Sequence, residues 1–148
     1  MVWKPHVTVA AVIARDGRFL LVEEDTDDGR AFNQPAGHLE AGESLLEAVV
    51  RETLEETAYP FRPTALVGVY QWRHPHKDLS YLRFAFTGEL LGDALPRALD
   101  SGIIAAHWLS LGEIAAQAAH HRSPLVQRCC DDYLAGRRYP LDVLAYFA

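Results

Sequence analysis

Cysteine is scarce in this sequence: 148 residues contain two, Cys129 and Cys130, side by side. Adjacent thiols read as buried side chains rather than a disulfide framework or a metal site, which fits a reducing compartment. Runs of Lys and Arg are missing, and the formal net charge is -6. Long nucleic-acid duplexes and anionic membranes are held mainly through basic patches, so neither is expected as a partner. A small anionic substrate stays possible, because a divalent metal inverts the local field. No stretch approaches the roughly 20 apolar residues that span a bilayer. The apolar run Val7 to Ile13 is short, Arg15 and Asp16 follow it, and no small-residue cleavage pattern is suitably placed, so no export signal is expected. The expected location is the cytoplasm. The seven histidines lack metal-ligand spacing, His120 and His121 being neighbours and His74 and His76 lying in a turn, so no zinc site is expected.

Repeats, low-complexity tracts and linkers are absent as well, which predicts one domain over 1–148. Hydrophobic residues make up 49% and charged residues 23%, the balance of a globular chain with a core to bury. His6 to Ala14, the turn signal Asp16-Gly17 and Arg18 to Glu24 predict a β-hairpin. The polar stretch Glu23 to Arg30 predicts a solvated loop whose Glu23, Glu24, Asp25, Asp27 and Asp28 read as surface charge, with cation binding as the alternative. Ser44-Leu45-Leu46-Glu47 has capping-box form and opens a helix running to about Thr57, before Pro60. Strands are predicted over Thr64 to Trp72, Leu79 to Leu90 and Ile103 to Leu109. Helices are predicted over Leu111 to Ala119 and Leu125 to Leu134, with Pro124 at the first turn of the latter. The order is that of an α/β (α+β) fold with a mixed sheet between helices.

The helix that opens at Ser44 carries the chemistry. At about 100° per residue, Leu45, Leu46, Val49, Val50 and Thr53 share a sector expected to face the core. Glu52, Glu55 and Glu56, at i, i+3 and i+4, share the adjoining sector. Carboxylates so close repel, by tenths of a kcal/mol per pair, which a bound cation among them would relieve. Hard oxygen ligands that leave room for water and phosphate suit Mg²⁺, with Mn²⁺ a second possibility. Glu-x-x-Glu-Glu alone is also what an ordinary acidic helix face looks like. The surrounding segment, GHLEAGESLLEAVVRETLEETAY from Gly37 to Tyr59, resembles the Nudix box. Gly37, Glu43, Arg51, Glu52, Glu55 and Glu56 fall on its fixed positions, a coincidence expected roughly once in ten million starting points. Thr53 departs from the pattern where an aliphatic residue is usual, and Ala58 where Gly is usual. Neither change removes a metal ligand.

The resemblance implies a Nudix αβα sandwich with a central mixed β-sheet, and a metal-dependent hydrolase of phosphoanhydrides. It implies that Glu52, Glu55 and Glu56 ligate Mg²⁺, with the carbonyl of Gly37 completing a site. Glu43 would act through water or hydrogen-bond the helix, and Arg51 would orient the carboxylates. Glu52 is the first choice for the base that activates water, and Asp100 the second. HVTVA (His6 to Ala10), NQPAGHLEAGE (Asn33 to Glu43), HRSPLV (His121 to Val126) and GRRYPL (Gly136 to Leu141) are similar to the NudJ subfamily, the Nudix phosphatases. That subfamily implies hydrolysis of nucleoside di- and triphosphates and of hydroxymethylpyrimidine diphosphate, a thiamine precursor, with release of orthophosphate. The expected partner is that small molecule, and the expected assembly a monomer or homodimer. Two other readings stand beside it: a pyrophosphohydrolase of another substituted diphosphate (a dinucleoside polyphosphate, nucleotide sugar or oxidised nucleotide), and a non-catalytic nucleotide sensor. Sensors have commonly lost box glutamates, and none is missing here. Phe32, Trp72 and Tyr81 offer faces for stacking on a base, with core packing as the alternative. Gln34, His38, Arg73, Arg83 and Arg122 offer contacts to phosphate or base, with structural or exposed roles as the alternative.

Overall fold

The computed structural model describes residues 2–148. Strand β1 (His6–Ala11) is apolar on both faces because it lies inside a sheet covered on both sides. Its odd positions, Val9 and Ala11, continue with Ile13 into one core around the helix of the box. Ala10 and Val12 point into the other core, around the C-terminal helices. β1 pairs in parallel with β7 (Ser80–Leu90) and antiparallel with β5 (Ala36–His38). β6 (Phe61–Arg73) closes a mixed sheet of order β5-β1-β7-β6. A second, antiparallel sheet holds β2 (Ala14–Arg15), β3 (Arg18–Thr26), β4 (Gly29–Asn33) and β8 (Ile103–Ser110). Helix α1 (Leu45–Thr57) packs on β1, β5 and β6, while α3 (Leu125–Leu134) packs on β6 and touches α2 (Leu111–Ala116). The expected mixed sheet between helices is present, joined by this second sheet.

Several sequence expectations change in detail. The Asp16-Gly17 turn closes only a short hairpin, Ala14–Arg15 against Arg18–Phe19, because β1 finds its partners in β5 and β7. The stretch expected to be a solvated loop is the β3–β4 hairpin, its tip at Asp27 and Asp28. Glu23 and Glu24 are buried there, where Arg30 and the distant Arg122 pair with them and the distant His107 hydrogen-bonds Glu23. β6 begins three residues before the expected start and tolerates Pro63 at a bulge on the edge of the sheet. α2 stops at Ala116 and gives way to a 3₁₀ turn over Ala118–His120, and Pro124 is the N-cap of α3 rather than its first helical residue.

α1 matches its expected span, and its capping box is formed: Glu47 N–H donates to Ser44 Oγ and Ser44 N–H donates to the Glu47 carboxylate. The buried stripe is Ala48, Val49, Glu52, Thr53, Glu56 and Thr57, rotated from the expected one so that Leu45, Leu46 and Val50 are half-buried. Thr53 fits a buried position because its hydroxyl donates to the Val49 carbonyl at 2.7 Å. Ala58 caps the helix at φ 64° and ψ 7°, the left-handed conformation that costs an L-residue about 1–2 kcal/mol. Its methyl is worth about 0.8 kcal/mol of burial, and glycine gives up some restraint of the unfolded chain. Ala58→Gly is therefore expected to change stability by less than about 1 kcal/mol in either direction in urea unfolding. A loss larger than that would mean the cap carries no strain.

Candidate active site

α1 presents Glu52 and Glu56 toward the edge strand β5, and short side chains there let them approach the backbone. Gly37 has no choice of side chain: a Cβ at that position would lie 2.1 Å from Glu52 Cδ. Next to it, Ala36 N–H donates to Glu56 Oε1 at 2.9 Å. Glu52 is 9% and Glu56 8% exposed. Arg51 is the hub beside them. Its Nε and Nη2 grip both oxygens of Glu43 at 3.0 and 2.7 Å, while Nη1 reaches Glu52 at 2.7 Å and Glu55 at 3.3 Å. Nη2 also donates to the His38 carbonyl, tying loop, strand and helix together.

Arg51 does not touch Glu56. Burial raises the Glu56 carboxyl to about 9, against the pull of the Ala36 N–H, and the carboxylates of Glu24, Glu52 and Asp100 push it the same way. Burial also raises Glu52, against the pull of Arg51. Glu55 is raised by burial and by Asp100, whose N–H donates to the Glu55 carbonyl. Glu43 is held low by Arg51. Buried acids with too little positive charge nearby are what a divalent cation would complete. Among the described residues, no three His, Cys, Asp or Glu side chains converge into a ready-made cage. This arrangement still fits Mg²⁺, which keeps several waters and is usually held by one or two carboxylates together with substrate phosphates.

Glu52 and Glu56 form one wall of a cleft of about 650 Å³, within the range of small-molecule sites. Glu55 does not line it; it lies toward Arg51 and Asp100. Arg83, Arg122, Arg30 and Lys77 line other parts together with Glu24, Asp27 and Asp28, so cations and carboxylates alternate there. Trp72 and Tyr81 line its far end, stacked with ring centroids 5.8 Å apart and planes at 24°. His38 lines it too, exposed and edge-on to His6. Three expected contacts lie elsewhere. Phe32 packs against the core and His107 rather than lining the cleft. Gln34 is 1% exposed beneath the cleft floor, its amide spent on Val126 and Arg83. Arg73 does not line the cleft, whereas Arg122 does, its guanidinium 2.7 Å from Glu24. Thr8 and Asn33 also line it without having been singled out from sequence, as does Glu24, which the sequence reading placed among surface charge. No local pattern marks Glu24, because positions 19–24 are buried without alternation and its partner Arg122 lies 98 residues away.

The NUDIX domain family model matches residues 4–129. Phosphatase NudJ of Escherichia coli strain K12 is 44% identical over 145 residues, covering 98% of this chain and 94% of the relative. A solved NUDIX hydrolase from Nitrosomonas europaea is 51% identical with TM-score 0.94, over 97% of this chain and 98% of that one. A MutT NUDIX hydrolase from Burkholderia pseudomallei, 20% identical with TM-score 0.74 over 88% of this chain and 98% of its own, shares the fold. With the box glycine packed against the box glutamate and the similarity running almost end to end, the chain belongs to the Nudix hydrolase family.

Proposed function

We propose that this hydrolase removes the terminal phosphate of nucleoside di- and triphosphates and of hydroxymethylpyrimidine diphosphate, releasing orthophosphate. The observation that carries the reading is the cleft itself. An aromatic pair for a planar ring stands at one end, carboxylates for a metal at the other, and cations for phosphate in the walls. The 44% identity to a protein named Phosphatase NudJ supports it. Glu52 and Glu56, with Glu55 and the Gly37 carbonyl, would hold Mg²⁺ or Mn²⁺. When bound, such a cation neutralises phosphate oxygens and makes water a better nucleophile. Glu52, raised by burial, takes the proton of the attacking water, with Asp100 as the second choice. Arg51 keeps Glu52 and Glu55 in orientation. Trp72 stacks on the ring, and His38 meets the substrate at the mouth. The same reading has 1–148 acting as one domain in the cytoplasm, as a monomer or homodimer.

The test is product analysis. Nucleoside diphosphates and hydroxymethylpyrimidine diphosphate should give orthophosphate directly, without a coupling enzyme. Pyrophosphate as the first product from triphosphates, with diphosphates untouched, would assign the chain to the pyrophosphohydrolases of the family instead.

A further inference from the structure

Four arginines or lysines line the cleft, and three have a carboxylate within reach. Arg30 meets Glu23, Lys77 lies 3.5 Å from Asp28, and Arg122 lies 2.7 Å from Glu24. Among the described residues Arg83 has none within 4 Å, Glu24 acting on it only from farther off, although it is only 5% exposed. Its guanidinium donates instead to neutral groups, Nη1 to Gln34 Oε1 at 2.9 Å and Cys129 Sγ at 3.8 Å, and Nη2 to Asn33 Oδ1 at 2.8 Å. Gln34 cannot turn away, because its Nε2 donates to the Val126 carbonyl at 2.8 Å. A buried guanidinium is rarely left without a counter-charge, since amide oxygens repay only part of its desolvation. Arg83 Nε has no partner, and since no wholly buried side-chain nitrogen or oxygen lacks one among the described residues, Nε keeps some exposure where Arg83 lines the cleft.

Strand register places this cation. One cross-strand row holds Trp72, Tyr81 and His6. The next, two residues further along β7 and β1, holds Arg83 and Thr8. The third holds Ala10 opposite Ala36, whose N–H is bound by Glu56. Rows two residues apart are separated by roughly 6.6 Å. A ligand reaching from the aromatic row to the carboxylates must cross the row of Arg83.

We infer that Arg83, propped by Asn33 and Gln34, binds the phosphate that stays with the ring, and so selects substrates with a second phosphate between the ring and the departing one. The order of groups rests on the terminal-phosphate reading above; the phosphate contact itself does not. Attack by water forms a new P–O bond at the terminal phosphorus and breaks that atom's bond to the bridging oxygen. The water proton passes to Glu52. The bridging oxygen leaves with the retained phosphate and gains negative charge, which Arg83 faces.

The test is calorimetric binding of AMP against adenosine, and UMP against uridine, to metal-free protein in EDTA. The native protein should favour the monophosphate by roughly 10- to 100-fold in at least one pair, the scale of a charge-assisted hydrogen bond. Arg83→Gln should bring that ratio below about threefold. Asn33→Asp supplies the missing carboxylate beside Nη2; it should lower the ratio likewise while Tm holds or rises, which guards against a folding defect in the first variant. No preference in the native protein, or a ratio that survives in both variants, would overturn the inference. Product analysis on the loaded native enzyme is read separately: pyrophosphate release with the AMP ratio behaving as stated removes the terminal-phosphate reading and leaves the contact.

Discussion

Replacing Glu56 by Gln is expected to all but stop turnover while making the metal-free protein more stable. The Glu56 carboxyl sits at about 9 because it is buried among other acids. An acid raised above its ordinary 4.5 holds its proton more tightly in the folded chain than in the unfolded one. That stabilisation is complete below about pH 4.5 and is lost as the pH climbs toward 9. Over that window, forced ionisation costs about 1.36 kcal/mol per pH unit. Glutamine has no charge to acquire, and its carbonyl still accepts the Ala36 N–H. The variant should melt about 3 °C or more above the metal-free native protein at pH 8, with the gap closing near pH 4. With Mg²⁺ present, kcat should fall at least about 100-fold. Glu52→Gln should cost on the order of 10²–10⁴, the scale of a lost general base. A Glu56→Gln protein that keeps native turnover, or melts lower at pH 8, would make the carboxylate a structural group.

Chelation is expected to have an equally large effect. In the proposed reaction the departing phosphate enters beside Glu52 and Glu56, both buried and acidic, and Arg51 is committed to Glu43, Glu52 and Glu55. Without a cation the two sets of oxygens repel across a partly dry site. EDTA should abolish phosphate release, and millimolar Mg²⁺ should restore it, with Mn²⁺ substituting. The apolar cores contain none of the carboxylates that would hold the metal, so the chelated protein should remain folded. Added Mg²⁺ should raise Tm, by the equivalent of about 2.7 kcal/mol at a hundred times its Kd. The rise should be greater at pH 8 than at pH 6, since carboxylates must lose their protons to bind. Undiminished activity in EDTA would end the metal-dependent reading.

Much of this was legible because local rules and global fold agree in the box. The capping box at Ser44 and Glu47 sets where α1 begins, Pro60 limits it, and fixed spacing brings Gly37 back to Glu52. The fold class follows from the order of elements. Other features depend on partners that no local pattern announces. Glu23 and Glu24 read as surface charge because His107 and Arg122 lie 84 and 98 residues away. Gln34 read as a substrate contact because nothing nearby shows that Val126 and Arg83 consume its amide. Phe32 read as a stacking face, and alternation alone cannot say which side of β4 meets the core. The β1 hairpin failed for the same reason: an apolar strand pairs wherever two buried neighbours are offered.

The parallel pairing of β1 with β7 also has a price in time. Ala11 meets Phe86 across 75 residues of chain, and Val12 N–H donates to the Phe86 carbonyl. During synthesis at roughly 5–20 residues per second, the apolar stretch from Val7 to Ile13 has no β7 to dock on for about 4–15 s. Such long-range strand pairs close slowly even once both partners exist. On a ribosome this stretch, rather than the helix that carries the chemistry, is the segment that must be kept from the wrong neighbour.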